Sequence, residues 1–341
     1  MVGVDTTSNR SKGAGQLMIA LFAIALVAGA ASAVMFASIL SGALISLVLF
    51  FLAPLPLMVA ALGWGPLCAG IGGIAAAAGL GAIFSLPYGL AFAIAVVLPA
   101  WWLGHLAMLG RPAAVSPAIT AASPAAAPAL EWYPLGRIQL WISVLATLTT
   151  FASLLTIGTD SDSITTSQHQ AMSRILSAAG VPPSAEMDQV IDAVIKVAPA
   201  AAAMFATLML TLNLWLAAKI TATSGLLRRP WPDLKSTALP PMTLVALFAA
   251  IGFCFSGGLF AMLAIIITAT LLMAYALSGF AVLHTLTLAL KSRTFWLGST
   301  YALVVMFVWP VLAMVALGLA DAAFGLRQRF WQRQPPPLPV P

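Results

Sequence analysis

Acid–base or nucleophilic chemistry needs two polar groups within hydrogen-bond reach, and this chain offers few. Inside its apolar stretches the titratable side chains are His105, His284 and Asp321, apart from Cys68, Cys254 and a few tyrosines. His105 follows Trp101 and Trp102 and reads as part of an aromatic belt at a membrane surface. That leaves His284 with Asp321 as the pair that could move a proton, and only if the fold brings them together. No two carboxylates share an apolar segment, and no HExxH, GxSxG, GxxxxGK or CxxC pattern occurs. Cys68 and Cys254 lie within apolar runs, where they serve as small hydrophobes. The sequence therefore predicts a protein that is not an enzyme, with no catalytic residue, metal ligand or cofactor.

Two other kinds of chemistry remain. The first is recognition of a small solute. Asn213 and His284 are polar residues in apolar surroundings, which fit either an interhelical hydrogen bond or the lining of a cavity. Pro54 and Pro56 break a helix at membrane depth, where irregular backbone survives as a kink or as a cavity wall. Pro54, Pro56, Asn213 and His284 are thus the substrate-binding candidates. The hydroxyls of Ser143, Thr147 and Thr150 on one segment, and of Thr207 and Thr211 on another, are expected to bond carbonyls one turn back.

The second is docking. Ala25, Gly29, Ala33 and Ala37 recur every fourth residue, as do Ala69, Gly73, Ala77 and Gly81. Such small-residue stripes let helix backbones approach closely, either within one bundle or against another membrane subunit. The closing stretch "GLADAAFGLRQR", Gly318 to Arg329, forms a membrane-interface motif. Asp321 there should pair with a base, Arg327 or Lys291, because a lone carboxylate at the membrane edge is costly. Arg327, Arg329, Phe330, Trp331 and Arg333 then make a basic and aromatic anchor.

These residues are positioned by helices in lipid. Of 341 residues 62% are hydrophobic and only 7% charged, and the mean hydropathy is +1.04, values of an integral membrane protein. Charges are absent from 13–110, 138–159, 197–218, 236–290 and 294–320. A crossing takes about 20 residues at roughly 1.5 Å each. The gaps predict an all-α, polytopic transmembrane bundle of about eight or nine apolar segments, some broken by Pro or Gly. They fall near 17–36, 39–62, 66–84, 87–109, 138–158, 198–220, 241–256, 259–290 and 295–320. "ASA" at 31–33 imitates a signal-peptide cleavage site, but the apolar run continues far beyond it, so the first segment is read as a retained helix.

The domain reading has five parts. Residues 1–16 form a cytoplasmic N-terminus, 17–110 a four-segment bundle and 111–137 a cytoplasmic Ala/Pro-rich linker. Residues 138–326 form a C-terminal membrane region with an acidic external loop at 159–197, and 327–341 a basic, Pro-rich tail. That loop carries five acids against two bases, a net charge of −3, and Ser184 opens a short amphipathic helix within it. Basic residues at Arg10, Lys12, Arg111, Arg137, Lys219, Arg228, Arg229, Lys235, Lys291 and Arg293 all fall on one side if four crossings precede Arg111. By the positive-inside rule that side is cytoplasmic. The last run sits less simply: Trp309 and Pro310 divide it, so a re-entrant hairpin competes with a span. The sequence pI near 9.8 is assigned to lipid-facing loops and not to nucleic acid.

The stretches "FFLAPLPLMVAALGWGPLCAGIGG", "FSLPYGLAF", "NLWLAAKI", "GFAVLHTLTLALKSR" and "GLADAAFGLRQR", in that order, resemble the YybS-like family of predicted bacterial membrane proteins. The matching positions are Pro54, Pro56, Asn213, Ala217, His284, Gly318, Asp321 and Arg327; Ala323 and Gly325 depart from the closing motif. The resemblance implies a bacterial inner-membrane location and supplies no established activity. A more distant similarity, at Pro54, Pro56, Gly65, Pro66 and Gly70, is to substrate-binding subunits of energy-coupling-factor transporters. It implies a small solute as ligand and a membrane partner subunit or ATPase module, docked on the Ala25/Gly29/Ala33/Ala37 stripe. The expectation is a transporter-like membrane protein, with a non-transporting scaffold or assembly factor as the alternative.

Overall fold

The computed structural model describes residues 5–112, 130–232 and 237–332, with side chains from residue 15 onward, residue 289 excepted. Most of the Ala/Pro linker, Lys235, Arg333 and the Pro-rich end lie outside the described residues, as do the side chains of Arg10 and Lys12. Apart from one short strand pair the described chain is helical, and it divides into two compact units.

The first unit takes residues 1–134 and 209–232. It contains α1 (Asp5–Ala37), α2 (Leu44–Phe51), α3 (Pro54–Trp64), α4 (Pro66–Ile83), α5 (Leu86–Phe92) and α6 (Leu98–Ala107). The helices stop where the sequence forces them to. Gly65 adopts φ 108°, which a side chain would resist, and Pro66 then opens α4, where its missing N–H costs nothing. Five π-helical residues, Ala93–Val97, join α5 to α6.

Small residues set the spacing of α1 and α4. A Cβ on Gly29 would overlap the Gly72 carbonyl, and one on Gly72 would overlap the carbonyl of Ala25. Ala25 and Gly29 are buried in that contact. The other stripe, through Gly73 and Ala77 to Gly81, faces Val97 and Gly89. Ala25 and Gly29 are therefore engaged by α4 within the unit, the packing alternative of the two, while Ala33 and Ala37 on the same stripe stay partly exposed.

The second unit takes residues 135–208 and 233–341. It contains α7 (Leu135–Leu155), α8 (Ser161–Ala178), the first part of α9 (Ala185–Thr223), α10 (Met242–Phe253), α11 (Gly258–Leu286), α12 (Arg293–Met306), α13 (Pro310–Phe324) and α14 (Leu326–Gln332). Gly279 lies against the Met314 backbone and Gly318 against that of Tyr275, so α11 and α13 pack antiparallel at near backbone contact. Polar glue joins α7 to α11: Ser143 Oγ donates to the Thr270 carbonyl at 3.3 Å, and the hydroxyls of Thr147 and Thr270 lie 3.0 Å apart. Ser143 also bonds back to Gln139 as expected, but the bonds across the interface were not foreseen.

Several sequence expectations change. The acidic stretch is no loop: α8 and the start of α9 form an antiparallel helical pair, with His169 Nε2 lying 3.7 Å from both Asp188 and Asp192. The amphipathic helix expected after Ser184 runs unbroken through Pro199 into the membrane segment, giving 39 residues. The segment near 241–256 is a helix of 12 residues, about 18 Å long and short of the roughly 30 Å a span needs. The last run is broken at 307–309 into helices of 14 and 15 residues. Among the described residues seven helices are long and apolar enough to cross a membrane, or eight if α13 and α14, bent by 65°, count as one span. The contacts also place 209–232 with the N-terminal unit, although the domain reading groups them with the C-terminal region.

Candidate functional site

At one end of the first unit lies a cavity of about 340 Å³, within the size range of small-molecule sites. Four stretches build it. Leu62, Gly63, Gly65 and Pro66 come from the α3–α4 corner, and His105 to Gly110 from the end of α6. Leu130 and Trp132 lie on the short strand β2 (Leu130–Trp132), and Arg228 follows α9.

Each wall has a local cause. Strand β2 pairs antiparallel with β1 (Gly110–Pro112), in a register that sets Trp132 opposite Gly110. Arg111 and Glu131 face each other in that register and form an exposed ion pair at 2.8 Å. Hydrogen bonding to the arginine, then its charge, lowers the Glu131 pKa, and the same bond raises that of Arg111. Gly225, at φ 70°, ends α9 and lets the N–H groups of Leu226 and Leu227 return to the Thr221 carbonyl. The chain then delivers Arg228 and Arg229 to opposite duties. Arg229 Nη1 caps the carbonyl of Ala107 at 3.2 Å, and its guanidinium lies 6.0 Å from the Trp132 ring centroid. Burial pulls its pKa below the ordinary guanidinium value. Arg228 stays exposed at the cavity wall.

The cavity thus combines an arginine, a histidine, the positive end of the α4 dipole at Pro66 and an aromatic wall. Among the described residues no carboxylate lines it. Its chemistry suits holding a small, partly apolar anion.

The substrate-binding candidates named from the sequence do not converge on it. In an unbroken helix the Phe51 carbonyl would receive the N–H of Leu55, but that N–H goes to Leu52 at 2.9 Å. Pro54 and Pro56 supply no donors. The Nδ2 of Asn213, wholly buried, donates to Phe51 O and to Met209 O, each at 2.8 Å. Asn213 is thus tied to Phe51, three residues before Pro54, and braces the point where the helix breaks. Asn213 Oδ1 finds no partner among the described residues. In the second unit His284 Nε2 lies 2.8 Å from the Tyr301 hydroxyl.

Asp321 turns instead to Arg327. Its Oδ1 accepts the Arg327 backbone N–H at 2.9 Å, and its Oδ2 accepts Nε at 2.9 Å and Nη2 at 2.6 Å. Nη1 of the same arginine donates to the Thr237 carbonyl at 2.6 Å. Both side chains are less than a tenth exposed. Gly325, in the left-handed region at φ 64°, makes the corner that folds Arg327 back. Arg329 is exposed and takes no part, and Lys291, the other base considered, is exposed as well.

Sequence reasoning missed Trp132 and the division of labour between Arg228 and Arg229. The Arg111–Glu131 pair flanking the linker was the available signal. Compared with known proteins, the sequence matches the family described as Predicted membrane protein (DUF2232) over residues 30–322. No curated protein and no solved structure matches it.

Proposed function

We propose, from the premise that this chain belongs to the DUF2232 family of predicted membrane proteins, that it is a transporter-like protein binding a small anionic solute. The observation that carries this reading is the cavity lined by Arg228, His105 and Trp132 at the end of the first unit. A guanidinium and a helix N-terminus attract an anion, and an aromatic and aliphatic wall excludes water around its apolar part. No catalytic step enters: the protein binds and hands on. In this reading the membrane is the bacterial inner membrane, and the basic residues Arg111, Lys219 and Arg228 face the cytoplasm. The partners are the bilayer and a membrane subunit or ATPase module that takes up the solute. Solute affinity of a binding subunit, delivered at the cytoplasmic rim, is what such a module would draw on.

The test is native mass spectrometry of the full chain released from membranes in mild detergent, compared with Arg228→Glu. A stoichiometric small anion on the wild type, lost from the variant, supports the reading. A ligand-free chain that co-purifies with a soluble or assembly-related partner refutes it in favour of the scaffold reading.

A further inference from the structure

The second unit carries its own measure of depth. Helix α7 has 21 residues, which rise about 30 Å, the thickness of one hydrocarbon layer. Helix α11 runs antiparallel to it: Thr270 meets Ser143 and Thr147 near the middle of α7, and Ile266 joins the cluster around Leu154 near its end. The start of α7 marks one edge of the layer. There the Ala238 backbone lies against Gly136, and Arg327 Nη1 donates to the adjacent Thr237 carbonyl at 2.6 Å. Lys291 and Arg293 follow the C-terminal end of α11, which points to the same edge. The last apolar run therefore begins and ends on one side of the layer.

Between those ends it goes only half way in. Met314 lies at Gly279 and Gly318 at Tyr275, so by equal rise Phe324, the last residue of α13, stops at about the level of residue 269, mid-depth on α7. Gly325 then makes its corner, and α14 leaves at 65°. Counted the other way, Pro310 stands near the level of residue 283, roughly 5–10 Å beyond the start of α7. Helix α12 stays at that height: the Tyr301 hydroxyl is 2.8 Å from His284 Nε2, and its ring stacks on Phe280 with centroids 5.5 Å apart. No residue of α12 is buried, and Phe295, Val305, Met306 and Val308 are each at least 70% exposed. So apolar a helix, opened by Lys291 and Arg293 and accompanied by Trp296 and Trp309, fits the boundary between headgroups and acyl chains. No acid occurs from Lys291 to Ala320, so the charge it presents is positive and complements an anionic leaflet. We infer that residues 293–324 do not cross the membrane: α12 is an in-plane helix bound to the anionic lipid surface on the side of Arg137, and α13 is a re-entrant stub. Arg327 and Arg329 then stay with Arg137 and Lys291, as the positive-inside rule requires, whereas a crossing would separate them.

The test uses the full chain with Cys68→Ala and Cys254→Ala, one new cysteine at Thr159, Ser292 or Gln332, and sealed membrane vesicles of either orientation. A membrane-impermeant maleimide should label Ser292→Cys and Gln332→Cys from one face and Thr159→Cys from the other. A protease-cleavable tag after Pro341, on a chain that keeps both native cysteines, should be cut only from the face that labels Ser292→Cys. Gln332→Cys labelled from the face of Thr159→Cys, or the tag cut there, overturns the re-entrant path. A nitroxide on Val305→Cys, in vesicles of phosphatidylglycerol and phosphatidylcholine, should sit about 5–10 Å into the headgroup boundary and be open to oxygen. A nitroxide near the bilayer centre, one fully open to a nickel chelate, or one shielded from both reagents by a covering protein overturns the inference. Phosphatidylcholine alone should raise nickel access severalfold, and Lys291→Gln with Arg293→Gln should erase that lipid dependence. Equal access in both lipids excludes anionic headgroups as the occupant.

Discussion

Replacing Asp321 by Asn keeps the volume of the side chain and removes its charge. In the native protein the carboxylate accepts three N–H groups of Arg327, and both side chains are buried. The amide can still accept from the Arg327 backbone, but its NH₂ must face the guanidinium, donor against donor. Arg327 is then a buried cation without a counter-charge, a condition that costs about 3–5 kcal/mol. Arg327→Gln strands the carboxylate to a similar extent and also releases the Thr237 carbonyl. Two amides can pair with each other, so the double variant should lose about 3–4 kcal/mol, well below the sum, giving a coupling energy of about 3–6 kcal/mol. The assay is a double-mutant cycle on reversible unfolding in mixed micelles, read by tryptophan fluorescence. Hydrogen exchange of the 310–332 segment shows whether the loss is local. Single variants within about 0.5 kcal/mol of the wild type, or a double variant equal to the sum within that margin, would refute the claim that this pair holds the C-terminal corner.

Asn213→Leu should cost about 1–3 kcal/mol by leaving the Phe51 carbonyl without its buried donor; an unfolding midpoint equal to the wild type would remove the brace. Gly72→Ala should cost about 1–3 kcal/mol because its Cβ meets the Ala25 backbone. Gly79→Ala, whose Cβ meets open space, should be neutral or stabilising in the same assay. Asp160 caps α8 by accepting from Ser163 and Asp162, and those bonds, the Ser163 backbone bond first, lower its pKa from 3.8. A depressed folded pKa means that the cap's contribution is complete above 3.8 and disappears as the pH falls through the folded value. Amide exchange in the first turn of α8, corrected for intrinsic rates, should therefore accelerate below that pH in the wild type and lose this dependence in Asp160→Asn.

The fold class was legible because charge is expensive in lipid: each long stretch without Asp, Glu, Lys or Arg folded into one or more helices. Boundaries set by other physics were not. Helix α9 does not end where its charges do, since backbone hydrogen bonds continue across a water–lipid boundary, and Pro199 sacrifices only one of them. Helix α10 has the composition of a span without its length. Of the candidate residues, Asp321 and Arg327 could be paired on paper because a carboxylate in an apolar run needs a near cation. The Ala25/Gly29 stripe announced close packing, but spacing on one helix cannot name its neighbour, which is α4. The basic cavity was invisible for a related reason. It collects 62–66, 105–110, 130–132 and 228, four stretches that no local pattern joins.

The brace at Phe51 also has a dimension in time. Asn213 follows Phe51 by 162 residues, and at about 5–20 residues per second a ribosome needs roughly 8–30 s to supply it. For that interval the broken helix α2–α3 is already made while the donor for its open carbonyl is not. The four N-terminal crossings therefore cannot mature as an independent piece. Residues 209–232 must arrive to complete the first unit, after the second has already begun with α7 and α8. A gene divided within the linker should then yield two fragments that are stable only when made together, the earlier one waiting on a helix encoded in the later.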